Sequence, residues 1–147
     1  MTTEQRKVEL FHLRANQPVR VEPEQHIGDY DPRLVEFRAD LIREESGEVD
    51  EAMAVGEIED VAKELADLLY VVYGTGVALG IDLHSVFDEV HESNISKLGS
   101  QVVTDERGKV QKAEGYWEPD IEKVLSRQRG EFSQAQKQAT PTHLQVD

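Results

Sequence analysis

The sequence predicts an all-α protein, a helical bundle that is completed by homodimerisation. Three long segments carry apolar residues at the spacing of amphipathic helices, and recognisable capping or stop residues bound them. The segment 65–79 is apolar nearly all round, which is typical of a helix buried between others. One chain with three long helices cannot cover that much apolar surface, so a second copy is expected to bury the rest in a four-helix core.

Length and composition restrict the class of protein further. A chain of 147 residues indicates one domain, which we expect to span 1–127. With 30 acidic and 16 basic residues the net charge is −14, which argues against a nucleic acid or an anionic membrane as the partner. The absence of cysteine excludes disulfides, zinc-thiolate sites and a cysteine nucleophile. No signal peptide or membrane span is apparent, so a cytoplasmic protein is expected.

The first elements are a short helix, a loop and a long helix. Residues 4–15 form the short helix, and residues 16–31, which contain two prolines and a glycine, form the loop. Asp31 and Pro32 start the long helix, because Asp caps free N–H groups and the fixed φ of proline suits the first turn. This helix is predicted to span 32–55 and to stop at the glycine that follows.

Two further helices end at glycines. The helix 57–79 stops at Gly80, and the helix 83–97 stops at Gly99. Residues 102–112 predict a small hairpin with its turn at Arg107 and Gly108.

The C-terminal part is predicted to contain one last structured element. Residues 118–127 contain a proline and an aspartate that start a short helix. Residues 128–147 are rich in glutamine and weakly apolar, and a disordered tail is expected there.

The apolar face of helix 32–55 turns acidic at its centre. Glu45 and Glu48 lie in line with Leu41, where the helical period calls for core residues, and Glu44 lies at the edge of that face. Such an arrangement needs a chemical reason, because isolated carboxylates are costly to bury.

The next helix carries a matching pair, Glu64 and Asp67, spaced i, i+3 on one face. A short connection makes the two helices antiparallel, so the two acidic sets should face each other. Like charges in a shared site repel, and a divalent cation relieves the repulsion. Oxygen-only ligands favour Mg²⁺, Mn²⁺ or Ca²⁺. The alternative is a solvated charged face with helix-capping acids.

The motif EE-x-x-E at 44–48, followed after fifteen residues by E-x-x-D at 64–67, resembles the signature of the all-α NTP pyrophosphohydrolases. This superfamily includes MazG, the dimeric dUTPases and phosphoribosyl-ATP pyrophosphohydrolase. The segments FHLRANQP, VHESNISKLG and GKVQKAEGYWEPDI are also similar, and the chain is most similar to the MazG-like branch. The resemblance implies Mg²⁺-dependent cleavage of a nucleoside triphosphate between its α and β phosphates, with Mn²⁺ as a substitute ion.

The resemblance also implies roles for individual residues. The implied metal ligands are Glu45, Glu48, Glu64 and Asp67. Glu44 is the candidate for orienting or deprotonating the attacking water. The candidate substrate-binding residues are Asn94, Lys97 and Lys112 for phosphates and Phe11, His12 and Asn16 for the base.

Several functional alternatives remain open at this stage. The implied assembly is a homodimer or a dimer of dimers, and the expected substrates are pyrimidine nucleotides, with dUTP foremost. A non-catalytic helical dimer that senses a nucleotide or a metal is the main rival. Phosphoribosyl-ATP hydrolysis is another, and a di-iron bundle is a third, although only Asp88 and His91 hint at it.

Overall fold

A computed structural model describes residues 1–99 and 102–131. These residues form five α-helices and no β-strand, which confirms the predicted all-α class. The helices are α1 (Thr3–Arg14), α2 (Pro32–Val55), α3 (Ile58–Leu79), α4 (Leu83–Ser96) and α5 (Ile121–Gln128). A single 3-10 turn, Ile27–Asp29, interrupts the loop between α1 and α2.

Local sequence signals set the ends of the long helices. The Asp31 carboxylate caps α2 by accepting a hydrogen bond from the Arg33 backbone N–H at 2.9 Å, and this bond lowers the pKa of Asp31. Gly80 ends α3 in the left-handed conformation, with φ of 75°. Both predicted boundaries are confirmed.

The chain divides into two compact units, Met1–Leu83 and a second that begins at His84. In the first unit, α1 and α2 both pack against α3. Glu48 lies beside Glu64, while Arg38 lies against Gly74. Moving towards the N-terminus of α2 therefore means moving towards the C-terminus of α3, and the two helices are antiparallel as predicted.

The loop between α1 and α2 is fastened to the C-terminal end of α3. The Tyr30 hydroxyl donates to the Leu79 carbonyl oxygen at 2.8 Å, and the Arg20 backbone N–H donates to the Val77 carbonyl at 3.1 Å. These bonds satisfy carbonyl groups that a helix end leaves free. Gln5, fully buried, donates to the Ile81 carbonyl at 2.7 Å, so it is a satisfied core residue.

In the second unit, the predicted hairpin is a tight turn with one antiparallel bridge, between Thr104 and Val110. The Ser93 hydroxyl donates to the Trp117 carbonyl at 2.8 Å and so ties α4 to the segment before α5. Asp120 caps α5 through the Lys123 backbone N–H. Of the predicted disordered tail, residues 132–147 lie outside the described residues.

Across the described ranges, no single helix is both long and apolar enough to cross a membrane. The consecutive helices α3 and α4 reach the required length and composition only together, as an interrupted pair.

Candidate metal centre

Three carboxylates of α2 and α3 converge in the first unit. One oxygen from each of Glu45, Glu48 and Glu64 lies within 4.8 Å of the other two. The side chain of Glu64 is only 15% exposed. A cavity of about 320 Å³ opens beside the cluster at the α2–α3 connection, and Glu48, Glu64 and Asp60 contribute to its wall.

The carboxylates of this cluster repel each other. A hydrogen bond with Glu64 raises the pKa of Glu48, and the negative charges of Glu64 and Glu45 raise it further. The hydrogen bond between Glu48 and Glu64 requires a proton on one of the two carboxyl groups. A divalent cation bound in its place would remove the repulsion. Three converging carboxylate oxygens, two of them from half-buried side chains, suit a hard cation such as Mg²⁺ or Mn²⁺. The residues therefore fit a metal ion.

Asp67 adjoins the cluster through a lysine. Lys63 Nζ lies 2.9 Å from Asp67 Oδ2 and 3.0 Å from Glu64 Oε1. These hydrogen bonds raise the pKa of Lys63, the bond to Asp67 most of all. Asp67 is therefore outside the group of three converging oxygens, although it shares a cationic partner with Glu64. Lys63 was not predicted as a site residue, although its i, i+4 spacing to Asp67 was visible in the sequence.

Glu44 lies next to this cluster in sequence but apart from it in orientation. Its side chain is exposed, and it is not one of the three residues whose oxygens converge. A residue at the edge of a cation site, with its carboxylate open to solvent, is compatible with a role in orienting water. That role stays a prediction.

The predicted base-binding residues of α1 have different environments. Phe11 is 53% exposed, and its ring meets the ring of Tyr70 edge-on at 5.7 Å between centroids. His12 is buried, and its Nδ1 donates to the Pro18 carbonyl at 2.8 Å. Burial lowers the pKa of His12. Asn16 is exposed and left-handed, with φ of 52°. Tyr70, which was not predicted as a site residue, lies one turn after Asp67 on α3.

The predicted phosphate-binding residues cluster in the second unit. The ammonium groups of Lys97 and Lys112 lie 5.7 Å and 4.3 Å from the centre of the Tyr116 ring. Lys97 donates to the Asn94 side-chain oxygen at 2.5 Å. Lys112 pairs with Glu118 at 2.7 Å, which raises the pKa of Lys112 and lowers that of Glu118. Lys112, which is distant in sequence from Lys97, thus lies at the same aromatic ring, and Asn94 is bonded to Lys97.

The second unit also contains a larger cavity, of about 420 Å³, between α4 and α5. Its wall includes Asp88, Glu89 and Arg127, and none of the predicted site residues. This cavity gives no support to a di-iron site. The His91 ring stacks on the Phe87 ring, and His91 does not line the cavity. We therefore place the candidate chemistry at the carboxylates of the first unit.

Known proteins are similar to the part of the chain that carries these carboxylates. A family model described as phosphoribosyl-ATP pyrophosphohydrolase matches residues 8–94, which is more than half of the chain. An uncharacterized protein of Acanthamoeba polyphaga mimivirus is 36% identical over 73 residues, which are 50% of this chain and 29% of the viral protein. The chain belongs to the phosphoribosyl-ATP pyrophosphohydrolase family, within the MazG-like all-α pyrophosphohydrolase superfamily.

Proposed function

We propose that this chain hydrolyses a (deoxy)nucleoside triphosphate to the monophosphate and pyrophosphate in a Mg²⁺-dependent reaction. The observation that carries the proposal is the convergence of Glu45, Glu48 and Glu64 within the segment that matches a pyrophosphohydrolase family. A bare carboxylate cluster repels a triphosphate, so substrate binding at this place requires cations.

The protein side chains would prepare the site for that chemistry. Glu45, Glu48, Glu64 and Asp67 would hold Mg²⁺ or Mn²⁺, with Asp67 released from Lys63. A bound ion of this kind offsets the charge that develops on phosphate oxygens during the displacement. Glu44 would orient the attacking water from the edge of the cluster.

We propose, as the family resemblance implies, that Asn94, Lys97 and Lys112 contact phosphate oxygens. Lys97 and Lys112 present point charges close to the same aromatic ring, and Asn94 fixes the ammonium group of Lys97. Lysine binds phosphate through charge rather than through a planar fork. On substrate binding, Lys97 would exchange its bond to Asn94, and Lys112 its bond to Glu118, for a contact with phosphate.

We propose pyrimidine nucleotides, dUTP foremost, as the preferred substrates. The ring of Phe11 is half exposed and meets the ring of Tyr70 edge-on, so it would offer one small stacking surface near Asp67. A small ring with two carbonyls suits such a face better than a purine does. Phosphoribosyl-ATP is the second candidate, because the matching family model carries that description. A metal- or nucleotide-sensing dimer without turnover is the third.

The test of the function is a substrate panel assayed for pyrophosphate release with and without Mg²⁺. The panel contains dUTP, dCTP, dTTP, dATP, dGTP and phosphoribosyl-ATP, and kcat/KM is compared side by side. We expect dUTP to lead, with dTTP about 10- to 100-fold lower because of one methyl group. Equal values or a purine lead would contradict the pyrimidine preference. Nucleotide binding without any pyrophosphate release would favour the sensor.

We further propose that the protein is a homodimer or a dimer of dimers. Several large apolar side chains of α1 and α3 stay exposed in the single chain, among them Leu13, Leu65 and Leu69 at 58%, 46% and 55%. Burying them would complete the bundle. Light scattering at micromolar concentration should give at least twice the 16.6 kDa chain mass.

A matched pair of variants tests the dimer surface. Leu69→Glu should shift the mass towards the monomer, because it places a charge inside an apolar contact. Val21→Glu, at a loop residue that is 98% exposed, should leave the mass unchanged. A wild-type monomer would contradict the proposal.

A further inference from the structure

We propose that Arg38 is a substrate-specificity residue that donates a hydrogen bond to a carbonyl oxygen of the nucleobase. This inference rests on the proposed function, since it assigns one end of the same substrate. Arg38 lies on α2, and nothing in the metal cluster depends on it. The feature that needs an explanation is the burial of its guanidinium group with donors that are unpartnered in the described part of the chain.

Arg38 is a buried cation, and two of its three guanidinium nitrogens have no hydrogen-bond partner among the described residues. The residue is only 5% exposed. Within residues 1–99 and 102–131, its Nε and Nη2 atoms are buried and have no hydrogen-bond partner. The Phe37 ring, 5.3 Å from the guanidinium carbon, offers a weak compensation. A buried guanidinium whose donors are unused destabilises the free protein unless an acceptor arrives from outside the chain.

The position of Arg38 along α2 matches the length of a nucleotide. Arg38 precedes Glu45 by seven residues, which is two turns, so both lie on the same face of α2 about 10 Å apart along the axis. On α3, Tyr70 and Gly74 continue the face that begins with Asp67. A ligand whose triphosphate lies at the carboxylates would therefore direct its base past the aromatic edge of Tyr70 and towards Arg38.

Gly74 allows the side chains of Arg38 and His12 to pack closely against α3 at this end of the site. A Cβ atom at this residue would lie 3.2 Å from Arg38 Nη1 and 3.0 Å from His12 Nε2. Nη1 is the guanidinium nitrogen that is not among the buried unpartnered atoms. Because His12 Nδ1 donates to the Pro18 carbonyl, Nε2 carries the lone pair in the neutral ring.

The burial of Arg38 favours a single planar acceptor over a phosphate. A phosphate group presents three oxygens and needs several accessible donors, whereas Arg38 has only Nε and Nη2 without a partner within the described ranges, and both are buried. A ring carbonyl oxygen has two lone pairs, so one such oxygen can accept from both Nε and Nη2, which share one edge of the planar guanidinium. Uracil, thymine, cytosine and guanine carry such a carbonyl, and adenine does not.

The first measurement separates a binding role from a structural one. Arg38→Met keeps the length of the side chain and removes the charge, and Arg33→Met is the matched control at an exposed residue of the same helix. We expect the Tm of nucleotide-free Arg38→Met to equal or exceed that of the wild type. A clear fall in Tm, absent from the control, would show that Arg38 stabilises the fold and would overturn the inference.

The second measurement follows base selectivity. The ratio of kcat/KM for dUTP to that for dATP should fall at least tenfold in Arg38→Met and stay unchanged in Arg33→Met. Arg38→Lys, which keeps the charge without the planar fork, should fall between them and serves if the methionine variant does not fold. An unchanged ratio in both Arg38 variants overturns the inference. The inference is also overturned if the ratio is unchanged and the Arg38 variants lose their oligomeric state. In that case the acceptor for Arg38 belongs to a second copy of the chain.

The third measurement does not require turnover. In the wild type, dUMP should raise Tm more than dAMP does at the same concentration, and Arg38→Met should lose that difference. If the wild type releases no pyrophosphate from any nucleotide but shows this difference, the proposed hydrolysis is wrong while the role of Arg38 stands. If hydrolysis occurs and the difference is absent, the role of Arg38 is wrong.

Discussion

Glu48→Gln is expected to lower kcat on the preferred triphosphate by about 10³-fold, and Asp67→Asn by a similar factor. Each change removes one anionic ligand and keeps the shape of the side chain. Several kcal/mol of transition-state stabilisation are lost when a catalytic metal is lost or misplaced, and about 4 kcal/mol corresponds to this factor. The rates are to be compared at saturating Mg²⁺, with Glu36→Gln as the control on the exposed side of α2.

The stability and the metal affinity of the same variants provide a second test. Without metal, Glu48→Gln is expected to be at least as stable as the wild type. In the wild type, the neighbouring Glu64 and Glu45 carboxylates repel the charged form of Glu48 and raise its pKa, and glutamine carries no charge. Calorimetric titration with Mn²⁺ should show weaker binding in both variants and unchanged binding in the control. Near wild-type turnover in either variant would contradict the assignment of these carboxylates to the metal.

Much of this cluster could be predicted because the apolar periodicities of two consecutive helices both placed carboxylates on the face between them. Glu45 and Glu48 occupied a core face, Glu64 occupied the face of the next helix, and a short connection fixed an antiparallel pairing. The convergence of these three carboxylates in the structure follows from that register. The ends of the helices at Asp31 and Gly80 were equally predictable, because capping and left-handed glycine are local properties.

The remaining features depend on side-chain rotamers and on tertiary burial. Which carboxylate Lys63 would pair with could not be predicted from spacing, because Glu64 and Asp67 are both within reach of its long side chain. Arg38 was overlooked because charged residues are expected at the surface. Its spacing of seven residues from Glu45 was visible in the sequence, but its burial requires α1 and α3 to pack around it.

Gly80→Ala is expected to destabilise the protein by about 3–5 kcal/mol, a large share of the total stability of a domain. Two costs add at this residue. Its φ of 75° is strained for alanine, which costs about 1–2 kcal/mol. In addition, a Cβ atom would overlap the Glu22 carbonyl oxygen and lie 2.5 Å from the Glu22 carbonyl carbon. Both atoms are backbone, so the loop that Tyr30 fastens to Leu79 would have to move away from α3.

Gly108→Ala separates the two costs. Gly108 has nearly the same φ, 80°, but nothing lies within 4 Å of the position that its Cβ would occupy. It should therefore cost only the backbone strain of about 1–2 kcal/mol. The free energies of unfolding of the wild type and of both variants are to be measured by urea denaturation. If the two variants lose the same amount, the close packing of the Glu22 backbone against Gly80 does not exist in solution. If Gly80→Ala alone loses several kcal/mol, the difference measures the contact that holds this loop on the end of α3.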